Sequence, residues 1–121
     1  MLGGTAPPPG RDVRALARQI LQTTGVKGGL VVHLPCGDGE LTAALHANER
    51  YLVQGLSTDS AGVTRARERV RAAGPYGPVS VDHWRGGRLP YADGLVNLLV
   101  SEDQRAVPAD EISRVLAPGG V

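Results

Sequence analysis

The stretch that decides the fold is Val31-Val32-His33-Leu34-Pro35-Cys36-Gly37-Asp38-Gly39-Glu40-Leu41-Thr42. It starts inside a short apolar run, Leu30 to Leu34, of the length and character of a buried strand. Two glycines spaced two apart follow, which lets the backbone turn tightly and approach a ligand closely. A helix from about Glu40 to Ala47 comes next, and its first N–H groups point into the same space. A Gly-x-Gly turn alone is a weak signal, because a strand-to-helix connection that holds nothing uses it too.

The flanking residues set the architecture. Val13, Leu16, Ala17, Ile20 and Leu21 recur at helical spacing, with Asp12 as a cap and Gly25 as a stop. Beyond the turn, Tyr51 to Leu56 reads as a strand and Ser60 to Ala73 as a helix with Val63, Ala66 and Val70 inward. Gly74, Pro75, Gly77 and Pro78 break the chain before a third strand, Val79 to Asp82. Leu95 to Val100 supplies a fourth strand, and Ala109 to Leu116 a last helix ended by Pro118-Gly119-Gly120. Strands that are apolar throughout, alternating with helices, predict an α/β fold: about four parallel strands covered on both faces. Pro7, Pro8 and Pro9 make residues 1–10 a disordered or extended lead-in, which leaves 11–121 as the domain.

Composition narrows the function. The 121 residues make one domain, and a net charge of +1 gives no reason to expect nucleic acid or an acidic membrane as partner. Arg65, Arg67, Arg69 and Arg71 stand at every second position, which spreads them around a helix as a solvated surface. No apolar run is long enough to span a bilayer. One cysteine excludes an intramolecular disulfide and disfavours a cysteine metal cluster, so a reducing, cytoplasmic setting is the default. Phe is absent, so Leu, Val, Ala and Ile must build the core.

In an open parallel sheet, ligands bind beyond the carboxyl ends of the strands, where the connection order reverses. The nicotinamide-type fingerprint fits poorly there. It needs a third glycine where this chain has Thr42, and a downstream acid where it has Ser57.

Val31 to Leu45 does resemble another motif, the first one of class I methyltransferases, with Cys36-Gly37-Asp38-Gly39 and Leu41-Thr42 matching closely. Gly55-Leu56-Ser57, with Ala66-Arg67 on the next helix, resembles that family's second motif. Leu89-Pro90-Tyr91-Ala92-Asp93-Gly94 resembles its Leu-Pro-Phe-x-Asp segment, and Glu111 through Gly120 its Glu-x-x-Arg-Val-Leu-x-Pro-Gly-Gly signature. The segments stand in the right order and cover most of Val26 to Val121. The resemblance implies a Rossmann-like three-layer domain that binds S-adenosylmethionine and transfers its methyl group to an acceptor the sequence does not name. The cofactor would lie on Pro35, Cys36, Gly37, Asp38, Gly39, Ser57, Thr58, Trp84 and Arg85. The family fold also continues through a fifth strand and a reversed hairpin, so the chain reads as truncated. The remainder of a larger polypeptide is then an expected partner, and the fourth strand an open edge.

The departures from the family are specific. His33 stands where the family has an acid supporting the cofactor's amino-acid end, and Pro35 replaces the first glycine, removing an N–H. Ser57 replaces the acid that accepts the ribose hydroxyls, Arg85 an acid facing the adenine, and Asn97 an acid at the start of strand four. A hydrogen bond to a charged group contributes about 1.5–3 kcal/mol, so losing the ribose acid alone costs on the order of ten- to a hundredfold in affinity. Asp59 is the nearest substitute if the loop bends back. These losses favour the rival function, a non-catalytic relic kept as an interaction or spacer module.

Single residues carry plainer expectations. His33, on a buried strand, reads as a satisfied core histidine, and His46 as exposed. Trp84 beside His83 is either an adenine-stacking group or a core plug. Cys36 fills the turn rather than serving as a nucleophile; Glu102 and Asp103 stand where the resemblance implies substrate-facing residues, but read as a solvated loop.

Overall fold

The computed structural model describes residues 12–73, 78–102 and 107–121. The expected lead-in over 1–10 and the position of Asp103 lie outside them. Helix α1 (Val13–Thr24) begins at Asp12, whose side chain accepts from the Arg14 and Ala15 N–H groups. It ends at Gly25, held at φ 72° with its N–H on the Leu21 carbonyl. Both ends are therefore set locally, by a carboxylate cap and a left-handed glycine.

Strands β1 (Gly29–Leu34), β2 (Tyr51–Ser57) and β3 (Val79–His83) alternate with α2 (Glu40–Ala44) and α3 (Ser60–Ala73); β4 (Leu98–Ser101) then follows β3 with no helix between them, and α4 (Ala109–Val115) comes last. Helix α2 is shorter than its sequence pattern, and β4 begins three residues later than the apolar run. Leu95, at the start of that run, is exposed, and Val96 makes only an isolated parallel bridge with Leu116. All pairings are parallel and the spatial order is β3-β2-β1-β4. The chain steps outward from β1 to β3 and then returns to the far side of β1, so the order reverses between β1 and β4.

Two apolar clusters cover the two faces. Val31, Val53, Val81 and Leu98 pack with Ala17 of α1, Leu41 and Leu45 of α2, and Val63, Ala66 and Val70 of α3. Val32, Leu34 and Leu56 pack on the opposite face with Trp84, Leu89 and Val115. This is why Val31 through Leu34 is buried without alternation: as a central parallel strand, β1 meets side chains on both sides.

The Glu111–Arg114 motif is a mechanical fastening. Arg114 donates to both carboxylate oxygens of Glu111 at 2.7 Å, to Asp93 Oδ1 at 2.7 Å, and to the Tyr91 and Leu89 carbonyls. Glu111 in turn accepts from the Leu89 N–H at 2.6 Å. Two side chains of one helix thereby tie down the Leu89–Asp93 segment, which belongs to no helix or strand.

Two expectations need correction. The outer side of β4 is not a bare edge, since Leu99 N–H donates to Val121 O, Val121 N–H to Asn97 O, and Ala117 N–H to Val96 O. The arginine run is not wholly solvated either. Arg67 donates to the Val81 carbonyl at 2.8 Å and to Asp82 Oδ1 at 3.0 Å, fastening α3 to β3. The Arg65–Asp59 and Arg69–Asp38 pairs are longer, 3.7 and 3.8 Å, and exposed, so they contribute about 1 kcal/mol at most.

Candidate functional site

Parallel register gathers the strand exits. His33 stands opposite Gly55, Leu34 opposite Ser101, and Ser57 opposite His83. The Pro35–Gly39 turn, Ser57-Thr58 and Trp84-Arg85 therefore reach one edge of the sheet, although Gly39 and Ser57 stand 18 positions apart in the chain and Pro35 and Arg85 stand 50 apart.

The turn is built from its own backbone. A cis Leu34–Pro35 bond precedes Cys36, whose N–H donates to Leu56 O at 2.8 Å, and Gly39 N–H closes back on Cys36 O at 2.9 Å. Asp38 Oδ1 accepts from Glu40 N–H at 3.0 Å, an Asx turn at the entry to α2. The two glycines serve different ends. A Cβ on Gly39 would sit 3.0 Å from Ala66 O and 3.2 Å from Val70, so Gly39 is required by close packing on α3. Gly37, at φ 56°, would meet nothing within 4 Å: it faces open space. Beneath, Gly55 has no room for a side chain, since a Cβ would lie 2.7 Å from Cys36 Cβ and 3.1 Å from Thr42. The thiol of Cys36 is 2% exposed, and burial pushes it up to about 11, which leaves it protonated and unreactive at neutral pH.

Ser57 is buried, and its Oγ accepts the Asp59 N–H at 3.1 Å in the turn that starts α3. Asp59 itself caps that helix, accepting from Ala61 N–H at 3.1 Å, and so does not bend back to take over a ribose. Thr58 is exposed, and its carbonyl accepts from His83 Nε2 at 3.1 Å. Trp84 takes the core-plug alternative: it is 5% exposed within the second cluster, and its indole N–H donates to Arg88 O at 3.1 Å. Arg85 is exposed at the rim. Asn97 lies away from these exits, at the amino end of its strand, where its Oδ1 accepts the Leu30 N–H at 3.0 Å. Its amide oxygen serves as the acceptor there, so the missing acid at this position costs the carboxyl edge nothing.

His33 is a satisfied core histidine, as expected, but its partners were not anticipated. The ring is 1% exposed; Nδ1 lies 2.8 Å from Thr42 Oγ1 and Nε2 2.6 Å from Glu102 Oε1. Glu102 is therefore not a merely solvated loop residue. A histidine on a fully buried strand requires polar neighbours, and that requirement was the only signal in the sequence for either partner. His46 is likewise not simply exposed: its Nε2 is shielded from solvent with no hydrogen-bond partner among the described residues. It lines a groove of about 590 Å³ between α1 and α2, with Val13, Ala17, Leu21 and Ala44.

With this geometry in hand, the likenesses to other proteins take on meaning. The methyltransferase domain family model matches residues 31–120, and the chain belongs to that family. No curated protein sequence matches it. Among solved structures, a protein of Methanococcus maripaludis assigned to the S-adenosyl-L-methionine-dependent methyltransferases superposes with a TM-score of 0.78 at 21% identity, over 89% of this chain and 52% of that one. Geranyl diphosphate C-methyltransferase from Streptomyces coelicolor A3(2), bound to Mg2+, geranyl diphosphate and S-adenosyl-L-homocysteine, gives 0.76 at 23%, over 88% and 42%. A SAM-dependent methyltransferase from Aquifex aeolicus gives 0.72 at 21%, over 84% and 58%. At these identities the likeness shows the fold, and the chain spans about half the length of the structures it matches. Among the described residues no helix is long and apolar enough to cross a membrane.

Proposed function

We propose that the chain binds S-adenosylmethionine across the carboxyl edge of the sheet and presents its methyl group to an acceptor of unidentified class. The observation that carries this is the open flank of Gly37 beside the exits of β2 and β3, at the edge where the strand order reverses. A bare α-carbon in a left-handed turn lets a ligand lie against the main chain. The Gly37 and Asp38 N–H groups, bonded to no described residue, are the donors left for it once Pro35 has removed one.

In this reading Pro35 through Gly39 support the amino-acid end, Ser57 and Thr58 border the ribose, and Arg85 borders the adenine with Trp84 holding that loop from beneath. The bound cofactor would supply an electrophilic methyl on a sulfonium. The protein's share is proximity and alignment of an acceptor with that carbon, which needs no dedicated base. The activity of the whole protein belongs to the same proposal, as does a cytoplasmic setting in which the single thiol stays reduced. Calorimetric titration with S-adenosylmethionine and S-adenosylhomocysteine tests it. Saturable binding to the folded chain is the expected result, and no heat at high ligand concentration removes the enzyme reading.

A further inference from the structure

The groove between α1 and α2, at about 590 Å³, falls in the size range of small-molecule sites, roughly 300–1,000 Å³. Its α1 side is an apolar stripe: Val13, Ala17 and Leu21 stand four residues apart, and Ala44 of α2 joins them in the lining. Eight residues of helix rise about 12 Å, so the stripe matches a medium-length acyl chain.

The rim is cationic. Arg14 and Arg18, exposed and one helical turn apart, line the groove, and their guanidinium groups bond to no described residue. Arg69 lies 3.8 Å from both Asp38 and Glu40, distances at which its charge is only loosely shared. One polar atom of the wall also lacks a bond. His46 Nε2 is shielded from solvent and unpaired among the described residues, a state that protein interiors rarely leave unmet. The outer torsion of a histidine side chain is soft, so a modest turn of the ring carries Nε2 toward a molecule in the groove.

An apolar stripe beside two unbonded guanidinium groups suits an apolar tail with an anionic head. A carboxylate takes parallel bonds from a guanidinium. The Glu40 carboxylate in the same lining disfavours a doubly charged phosphate. Residues 1–11, which lead into α1, contain no acidic side chain, so charge does not recommend the chain's own leading segment as the occupant. We propose that the α1–α2 groove binds a medium-chain monocarboxylate. Its tail lies along Val13, Ala17 and Leu21, and its carboxylate takes bonds from Arg14, Arg18 and His46. The groove shares no lining residue with the proposed cofactor contacts, and the proposal does not rest on cofactor binding.

The test is calorimetric titration with three probes: octanoate, octylamine, which keeps the tail and reverses the charge, and acetate, which keeps the head alone. Octanoate is expected to bind saturably, one per chain, and about tenfold or more tightly than either control. In the double variant Arg14→Gln, Arg18→Gln the altered side chains are exposed, so the fold should persist, which circular dichroism checks. It should bind octanoate about tenfold more weakly and lose the preference over octylamine. His46→Phe keeps a ring and removes the unbonded nitrogen. It should weaken octanoate by about threefold without lowering the melting temperature, whereas a merely structural histidine would lower the melting temperature and leave octanoate unchanged. Equal binding of octanoate and octylamine, an octanoate affinity untouched by the arginine changes, or no saturable octanoate binding overturns the proposal. None of these outcomes bears on titration with S-adenosylhomocysteine.

Discussion

The fastening of Leu89–Asp93 onto α4 and the exit of β1 are both built from short sequence motifs, yet they use their polar groups in opposite ways. At the fastening, the hydrogen bonds of Arg114 go to the chain itself: Glu111, Asp93 and two carbonyls. The Arg114 guanidinium, with the Leu89 N–H, drives the Glu111 carboxyl down to about 2, and Glu111 with Asp93 pushes the guanidinium well above its usual range. At the β1 exit, Gly37 opens onto space, and Glu102 Oε1 lies 2.6 Å from the buried His33 while its side chain stays partly exposed. The first region keeps the family's letters because the fold needs them. The second keeps Cys36-Gly37-Asp38-Gly39 but carries His33, Pro35 and Ser57 where the resemblance implies other residues. Retained motifs here report architecture, and they say little about which ligand contacts survive.

The comparison can be broken most directly at its structural side. Leu89 is 1% exposed inside the fastened segment, so Leu89→Ala should cost about 2–5 kcal/mol in urea unfolding. A loss well under that would mean the segment is held by its polar bonds alone. On the other side, Gly55→Ala pushes a methyl to 2.7 Å from Cys36 Cβ and should cost about 1–3 kcal/mol. It should also weaken S-adenosylhomocysteine binding, because the turn above must move.

A third experiment reads pH. Glu111 titrates near 2 when folded against an ordinary 4.5, so the folded state binds fewer protons there. Its contribution is complete above about pH 4.5 and is lost as the pH falls toward 2. Glu111→Gln should flatten the acid limb of a stability–pH curve over that window, and an unchanged limb would show that other carboxyls carry it. The smallest effect on stability belongs to the rim. Arg85→Asp should stay within about 0.5 kcal/mol of wild type, since the side chain is exposed. Combined with Ser57→Asp it should sharpen S-adenosylhomocysteine binding by about tenfold if the edge still admits the cofactor. No change would mean that the Pro35 turn has closed it.

Local chemistry made much of this legible. The Asp12 cap, the Gly25 stop and the inward Val63-Ala66-Val70 stripe need only neighbours within a few residues, and each stands where it was expected. The sequence pattern runs past the end of α2 and begins ahead of β4, because apolar character continues beyond the residues that make regular main-chain bonds. The role of Trp84 was open between ligand and core, and burial with a bonded indole N–H placed it in the core.

By itself the sequence determined the order and kind of elements, their parallel arrangement and the family, because periodicity, caps and glycine turns act within a single element or its junction. Only the tertiary structure decided that His33 meets Glu102 across 69 positions and that Asn97 meets Leu30 across 67. Those meetings follow from the register between neighbouring parallel strands. Register is fixed by packing both faces of the sheet at once, and no local run of residues encodes it.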